Sequence, residues 1–275
     1  MKTKRRALTA LRMAFVLVVT AVILFPIYLM VITSFKTSSQ AFDLPPDFFP
    51  MPDLSAYAAV LTEQNFGRYL SNSLITSLGT MALSILVCIL CAYSLARFKF
   101  RGSRIIQLST VIIRMVPPVV VAIPMYILWN RIGIADSLWG LILAYLGLTI
   151  PLNVWMLSIF IKEIPFELEE AAAIDGCSYG GILWRIVVPL ILPGISVTSI
   201  FTFRTAWNEF LLAIILSNRN TRTLPAAVSL RISDLGIDWG QIMAIATIIA
   251  IPAFIVTFAC AKNLITGLTA GAVKG

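Results

Sequence analysis

Three ionisable side chains fall inside long apolar stretches of this sequence: Arg114, Arg204 and Glu209. Hydrocarbon tolerates such groups poorly, so they face a bundle interior, a cavity or a partner. Glu209 follows Trp207 and Asn208, which set an aromatic ring and an amide beside the carboxylate. A second concentration of charge is Glu163, Glu167, Glu169, Glu170 and Asp175, with only Lys162 and Arg185 as basic neighbours. What is missing narrows the chemistry further. The chain has no histidine, which removes His general bases, His metal ligands and Ser-His or Cys-His nucleophile pairs. Cys88 and Cys91 have CxxC spacing but lie in an apolar run, where they read as small hydrophobes. No GxxxxGK[ST] phosphate loop and no HExxH zinc motif occurs. No catalytic, cofactor or metal site is expected on this chain.

The elements that carry these residues follow from composition. Of 275 residues, 59% are hydrophobic and 12% charged, against about 25% charged in a soluble domain. The fold class is an all-α membrane protein, because only helices and closed barrels satisfy their backbone in lipid. Stretches at about 13–34, 69–96, 105–130, 137–161, 189–216 and 241–262 give six transmembrane helices in one domain. The first exceeds the roughly 7–15 residues of a signal-peptide core and reads as a retained helix. With the N-terminus inside, 13 of the 21 Lys and Arg fall in inside segments and 6 in outside ones, so both termini are expected in the cytoplasm. The net charge of +8 then reflects basic inside loops, and no nucleic-acid partner is expected. The outside loops 33–68 and 219–238 are sizeable, the first rich in turn residues. Span three holds Pro117, Pro118 and Pro124, which kink a helix and free carbonyls.

Loop 163–185 is acidic on an otherwise basic inside face. Ile164-Pro165 suits a helix start. Glu167, Glu169 and Glu170 lie where the helix dipole favours negative charge. Ala171, Ala172 and Ala173 favour helix, and Asp175-Gly176 ends it, since glycine accepts the left-handed turn. A second short helix is expected from about Ser178 towards Arg185. Small side chains beside carboxylates suit docking into a cleft of another protein. A solvated connector between two spans accounts for the same residues equally well.

A resemblance separates these readings. Glu170-Ala171-Ala172, three residues, Gly176, nine residues, Ile186, then Pro189 resembles the EAA motif of ABC importer membrane subunits, with Val188 where leucine is usual. Ala206-Trp207-Asn208-Glu209-Phe210-Leu211, Met115-Val116-Pro117 and the tail Gly267 to Gly275 are similar to carbohydrate importers of the maltose-transporter type. The resemblance implies the type I ABC importer permease fold in a bacterial plasma (inner) membrane. It implies that 163–185 is a coupling helix seated on an ATPase subunit, carried by Glu170, Ala171, Ala172, Asp175, Gly176, Ile186 and Pro189. Glu170 would pair with a basic group of that partner. The cytoplasmic tail 263–275, with Thr269, Gly271 and Lys274, would reach the interface of two ATP-binding subunits, which would hold ATP and Mg. A second permease, implying a heterodimer, and an extracytoplasmic binding protein complete the assembly in lipid. Arg114, Arg204, Trp207, Asn208 and Glu209 are the candidate translocation path, the Trp ring suiting a sugar and the amide its hydroxyls. Arg114 would favour an anionic solute such as a glycerol phosphate. Amino-acid and peptide permeases also carry EAA loops. A secondary transporter would need paired broken helices or inverted repeats, and an intramembrane enzyme would need acid–base groups that the chain lacks.

Overall fold

A computed structural model describes the backbone of residues 2–37, 39–63, 65–229, 232–233 and 236–272, and side chains for these except 2–7, 232–233, 236–237 and 262–272. Four helices are long and apolar enough to cross a membrane: the Leu8–Ser34 part of α1 (Lys2–Ser34), α3 (Phe66–Arg97), α6 (Leu138–Lys162) and the Trp239–Ala261 part of α13 (Trp239–Ala272). Two further spans are bent pairs. In the first, α4 (Ser103–Arg114) and α5 (Pro118–Arg131) meet at 102°. In the second, α8 (Tyr179–Ile182) runs through a π turn at Leu183–Val187 into α9 (Val188–Leu190), which meets α10 (Leu192–Trp207) at 77°. Counting each pair once gives six spans.

The first bend falls at the prolines expected to kink span three, and the second lies at the start of the stretch 189–216. Pro117 and Pro118 lack the N–H that would continue α4, and Pro117 takes an extended backbone, ψ 136°. Span five breaks a second time. Its helix α10 stops at Trp207, and α11 (Leu211–Leu216) starts only after Asn208, Glu209 and Phe210. Arg204 and Glu209 therefore do not share a helix.

The chain divides into two compact units. Residues 1–66 and 228–251 form one. Its short helix α2 (Ser55–Thr62) buries Ala56 and Val60, and Ser34 Oγ and Tyr57 Oη lie 2.7 Å apart. The Asp53 backbone N–H donates to Phe35 O at 2.9 Å. Hydrogen bonds from Ser55 hold the exposed Asp53 carboxyl below the usual carboxylate range. A two-residue antiparallel ladder, β1 (Ile232–Ser233) with β2 (Gly236–Ile237), is the exception to the helical architecture among the described residues.

Residues 67–227 and 252–275 form the other unit. A polar stripe on α3 (Asn72, Ser73, Thr76, Ser77, Thr80, Ser84) is buried, recurring every three or four residues. Small hydroxyls let helices approach closely and satisfy themselves on the preceding turn, as Thr76 does by donating to Asn72 O at 2.8 Å. At the centre, Asn153 on α6 donates to Ser84 Oγ at 2.9 Å and to Thr202 Oγ1 of α10 at 2.5 Å, tying three spans together. Gly194 faces the Phe160 ring so closely that a Cβ there would lie 2.6 Å from it, which is why α10 can lie against α6.

Candidate functional site

The acidic segment 163–185 folds as a helix, a tight turn and a second helix. Its first helix, α7 (Glu167–Ile174), has Glu167, Glu169 and Glu170 in its first turn. At its other end Asp175 is the C-cap, and Gly176 takes φ +85°. Gly176 has no atom within 4 Å of where a Cβ would sit, so the turn needs glycine for its backbone and leaves open space around it. Ser178 caps α8, accepting from the Gly181 N–H at 3.3 Å.

The two faces of α7 differ. Its inner face carries Ala172, which joins a core with Ile89 and Ala92 of α3, Leu157 and Ile161 of α6, and Ile182 and Val187. The same face carries Glu169, whose side chain is 4% exposed. Arg97, the last residue of α3, donates Nε–H to Glu169 Oε1 at 2.6 Å. A second Arg97 N–H donates to the Ile164 carbonyl at 2.9 Å. Tyr93, one turn earlier, donates its hydroxyl to Glu169 Oε2 at 2.9 Å. The Arg97 guanidinium also lies 5.7 Å from the Phe166 ring centroid. Both carboxylate oxygens are thus used, and the buried charge is balanced. The outer face is exposed: Glu170, Ala171, Ala173, Asp175 and Gly176, with Ile174 at 86% and Tyr179 at 71%. Ile186 is half-buried and Pro189 exposed where the second helix rejoins the bundle.

The opposite end of α3 holds another segment, which runs into α12 (Leu224–Val228). Arg68 donates to Asn220 Oδ1 at 2.8 Å. Asn72 donates to the carbonyls of Asn220 and Arg222 at 2.8 and 3.0 Å, and the Leu224 N–H donates to Ser73 Oγ at 2.8 Å. Helix α3, about 48 Å long at 1.5 Å per residue, therefore grips the acidic loop at one end and the start of loop 219–238 at the other.

The candidate path residues sit in two places, Arg114 at the end of α4 and the other four where α10 gives way to α11. Trp207 is 1% exposed and stacks on Phe203 at 5.4 Å between centroids, which removes its ring from any accessible path and corrects the role expected of it. Glu209 accepts the Leu212 N–H at 2.8 Å and so caps α11. Asn208 is exposed and donates to the Arg204 carbonyl at 3.0 Å. Arg204 is exposed on α10, and Arg114 is exposed at the end of α4. Of the tail, Thr269 and Gly271 lie on the last turns of α13 with side chains outside the described set, and Lys274 lies outside the described residues.

Comparison with known proteins places this architecture. Residues 84–269, which include the acidic loop and both bent pairs, match the binding-protein-dependent transport system inner membrane component family. The chain belongs to that family. It is 34% identical over 264 residues to the diacetylchitobiose uptake system permease protein DasC of Streptomyces coelicolor, covering 94% of this chain and 96% of the relative. It is 35% identical over 254 residues to the sulfoquinovosyl glycerol transport system permease protein SmoH of Agrobacterium fabrum, covering 92% and 89%. Among solved structures, a bacterial ABC transporter that imports the acidic polysaccharide alginate superposes with a TM-score of 0.77 at 19% identity, covering 94% of this chain and 96% of the other. The MetNI methionine ABC transporter matches with a TM-score of 0.60 at 15% identity, covering 77% and 97%. The fold is that of type I ABC importer permeases, and the chain is a multi-pass inner-membrane component.

Sequence reasoning missed three residues that organise this permease subunit. Arg97 reads as an orientation signal, Glu169 as one more acid of the loop, and Tyr93 as an apolar span residue. A faint signal exists: Glu169 precedes the EAA glutamate, so on a helix it points about 100° away from it. Its partner lies 72 residues earlier, a distance that no local pattern encodes.

Proposed function

We propose that this chain is a permease subunit of an ATP-driven, binding-protein-dependent importer of a sugar, and that α7 is its coupling helix. The carrying observation is the division of α7 between an inner face locked to α3 by Arg97–Glu169 and an outer face of exposed acids and apolar side chains around Gly176. In this reading Glu170, Ala171, Ala172, Asp175, Gly176, Ile186 and Pro189 form or support the contact with an ATP-binding subunit. Glu170 meets a basic group there, while ATP and Mg stay on that partner. Closure of two such subunits pushes on α7. A salt bridge and a packed core transmit the push to α3, which turns the membrane cavity outward to receive substrate from an extracytoplasmic binding protein. The segment at Asn220 and Arg222, held by the far end of α3, lies on that outer side, and both termini lie in the cytoplasm. A second, different permease chain supplies the other half of the path, and the tail with Thr269, Gly271 and Lys274 reaches the ATPase pair.

Sugar as the substrate class is supported by relatives named for diacetylchitobiose and sulfoquinovosyl glycerol and by the alginate importer's fold. The alternative of a methionine-like solute has a more distant fold match, at a TM-score of 0.60. The test is capture of the tagged chain from its native membrane. Mass spectrometry should find an ATPase, a second permease and a binding protein, and ligand titration of that binding protein should show sugar binding. Capture without any ATPase would refute the importer reading, and a binding protein that takes amino acids and no sugar would refute the substrate class.

A further inference from the structure

A cleft of about 470 Å³ opens where span three breaks, between α4 and α6. Its walls include Thr110 and Arg114 from α4, Met115 just after it, and Pro151, Leu152 and Trp155 from α6. The volume lies within the range of about 300–1,000 Å³ usual for small-molecule sites. Arg114 is its one charged wall residue among those described. Eleven residues separate Arg114 from Ser103, about 16 Å along the helix, or half of a hydrocarbon layer about 30 Å thick. Trp155 and Pro151 lie seven and eleven residues from Lys162 on α6, about 10 and 16 Å from that end. Counted along the two helices, the cleft thus lies about half a hydrocarbon layer from their loop ends, beside a helix that Pro117 and Pro118 have interrupted.

Arg114 has no ion pair or side-chain hydrogen bond among the described residues. An arginine at that depth costs several kcal/mol unless a cavity hydrates it or an anion meets it. Secondary transporters place solute sites at discontinuous helices, where freed backbone and helix ends line a cavity, and the break after Arg114 offers the same kind of opening. Trp155, 55% exposed beside it, offers an indole face of the kind that stacks on a sugar ring, and its N–H remains free to donate. Planar guanidinium donors match carboxylate, sulfonate and phosphate oxygens two at a time.

We infer that the Arg114–Trp155 cleft is a substrate subsite for a sugar carrying an anionic group, with Arg114 binding the anion and Trp155 the ring. The inference rests on the sugar-permease reading and sharpens it to a substrate class. Because Arg114 meets the substrate inside the membrane, this site selects after the binding protein has released its cargo.

The test uses the whole importer, captured through this chain with its ATPase and binding protein and reconstituted in proteoliposomes. The probes are digalacturonate and sulfoquinovosyl glycerol as anionic sugars and trehalose and diacetylchitobiose as neutral ones. Uptake of an anionic probe is expected. Arg114→Gln should raise its half-saturating concentration by about 10-fold or more, the worth of one charged hydrogen-bonding contact. Arg114→Lys should hold that rise to about 3-fold, since it keeps the charge but not the bidentate fork. Trp155→Phe should retain uptake, and Trp155→Ala should weaken it. Uptake of neutral probes alone, or an anionic uptake indifferent to Arg114→Gln, overturns the inference and leaves the sugar reading standing. Loss of co-purifying subunits in Arg114→Gln also overturns it, because the charge then serves a subunit contact. Uptake of none of the four probes, with ATP present and assembly intact, would count against both.

Discussion

Arg97 and Glu169 form a buried ion pair at 2.6 Å that fastens the acidic loop helix to the end of a membrane span. Arg97 also donates to the Ile164 carbonyl, and Tyr93 donates to the second carboxylate oxygen. The loop is therefore held as an extension of α3 rather than as a tether between α6 and α10. A force applied to α7 reaches the bundle through this pair and through the packing of Ala172.

Removing one partner leaves the other charged and buried. Glu169→Ala should destabilise the subunit by about 3–5 kcal/mol, read as a fall in thermal unfolding temperature in detergent. Glu169→Gln keeps the shape and one acceptor and should cost less. Arg97→Lys keeps the charge but cannot reach Glu169 and the Ile164 carbonyl together, so it should fall between them. A double variant, Arg97→Met with Glu169→Leu, should recover stability lost by either single change, because a buried pair replaced by apolar groups is often neutral.

At Gly176 the backbone and the docking surface make separate demands. Within the chain a side chain there meets nothing within 4 Å, and only the positive φ opposes it. Gly176→Asn, which tolerates that backbone, should fold normally, and Gly176→Ala should cost about 1 kcal/mol. Gly176→Leu should leave the subunit folded yet sharply lower its co-purification with the ATPase and the substrate-stimulated hydrolysis of ATP. If stimulated hydrolysis persists in Gly176→Leu at normal expression, α7 is not the coupling element.

Asn153 joins α3, α6 and α10 by donating to Ser84 and Thr202. Asn153→Leu should cost about 1 kcal/mol, since it removes two interhelical polar contacts worth about 0.6 kcal/mol each. Thermal unfolding checks this, and Ser84→Ala should show part of the same loss because it removes one acceptor of the pair.

Glu209 caps α11 through the Leu212 N–H. Glu209→Ala should lower stability by about 1 kcal/mol, as loss of a helix cap does, and Glu209→Gln should keep most of it. The half-saturating substrate concentration should stay unchanged in Glu209→Gln. A large rise there would return Glu209 to the translocation path.

Particular residues show what was legible in the sequence. Apolar runs long enough for a bilayer marked six spans because lipid punishes any interruption, and the same penalty singled out Arg114. Gly176 and the carboxylates before it marked the ends of α7, since caps and dipoles act within one turn. The bends were harder to read. Pro117 and Pro118 announce a kink, but a 102° turn depends on how α5 packs against α6 and α11, which is a tertiary matter. Trp207 beside Asn208 and Glu209 invited a joint role, yet α10 ends at Trp207, so the ring turns into the core while the carboxylate caps the next helix. The Arg97–Glu169 pair joins residues distant in the chain, and only folding brings them to contact.

The central claim, that α7 passes the work of an ATPase to a sugar path, is tested most directly by uptake in proteoliposomes. The complex captured through this chain is reconstituted with its binding protein and radiolabelled sugar, with or without ATP. Sugar should accumulate only when ATP and binding protein are both present, and Gly176→Leu should abolish accumulation while the complex still binds ATP. Equal accumulation without ATP, or by this chain in the absence of any ATPase subunit, would contradict the account.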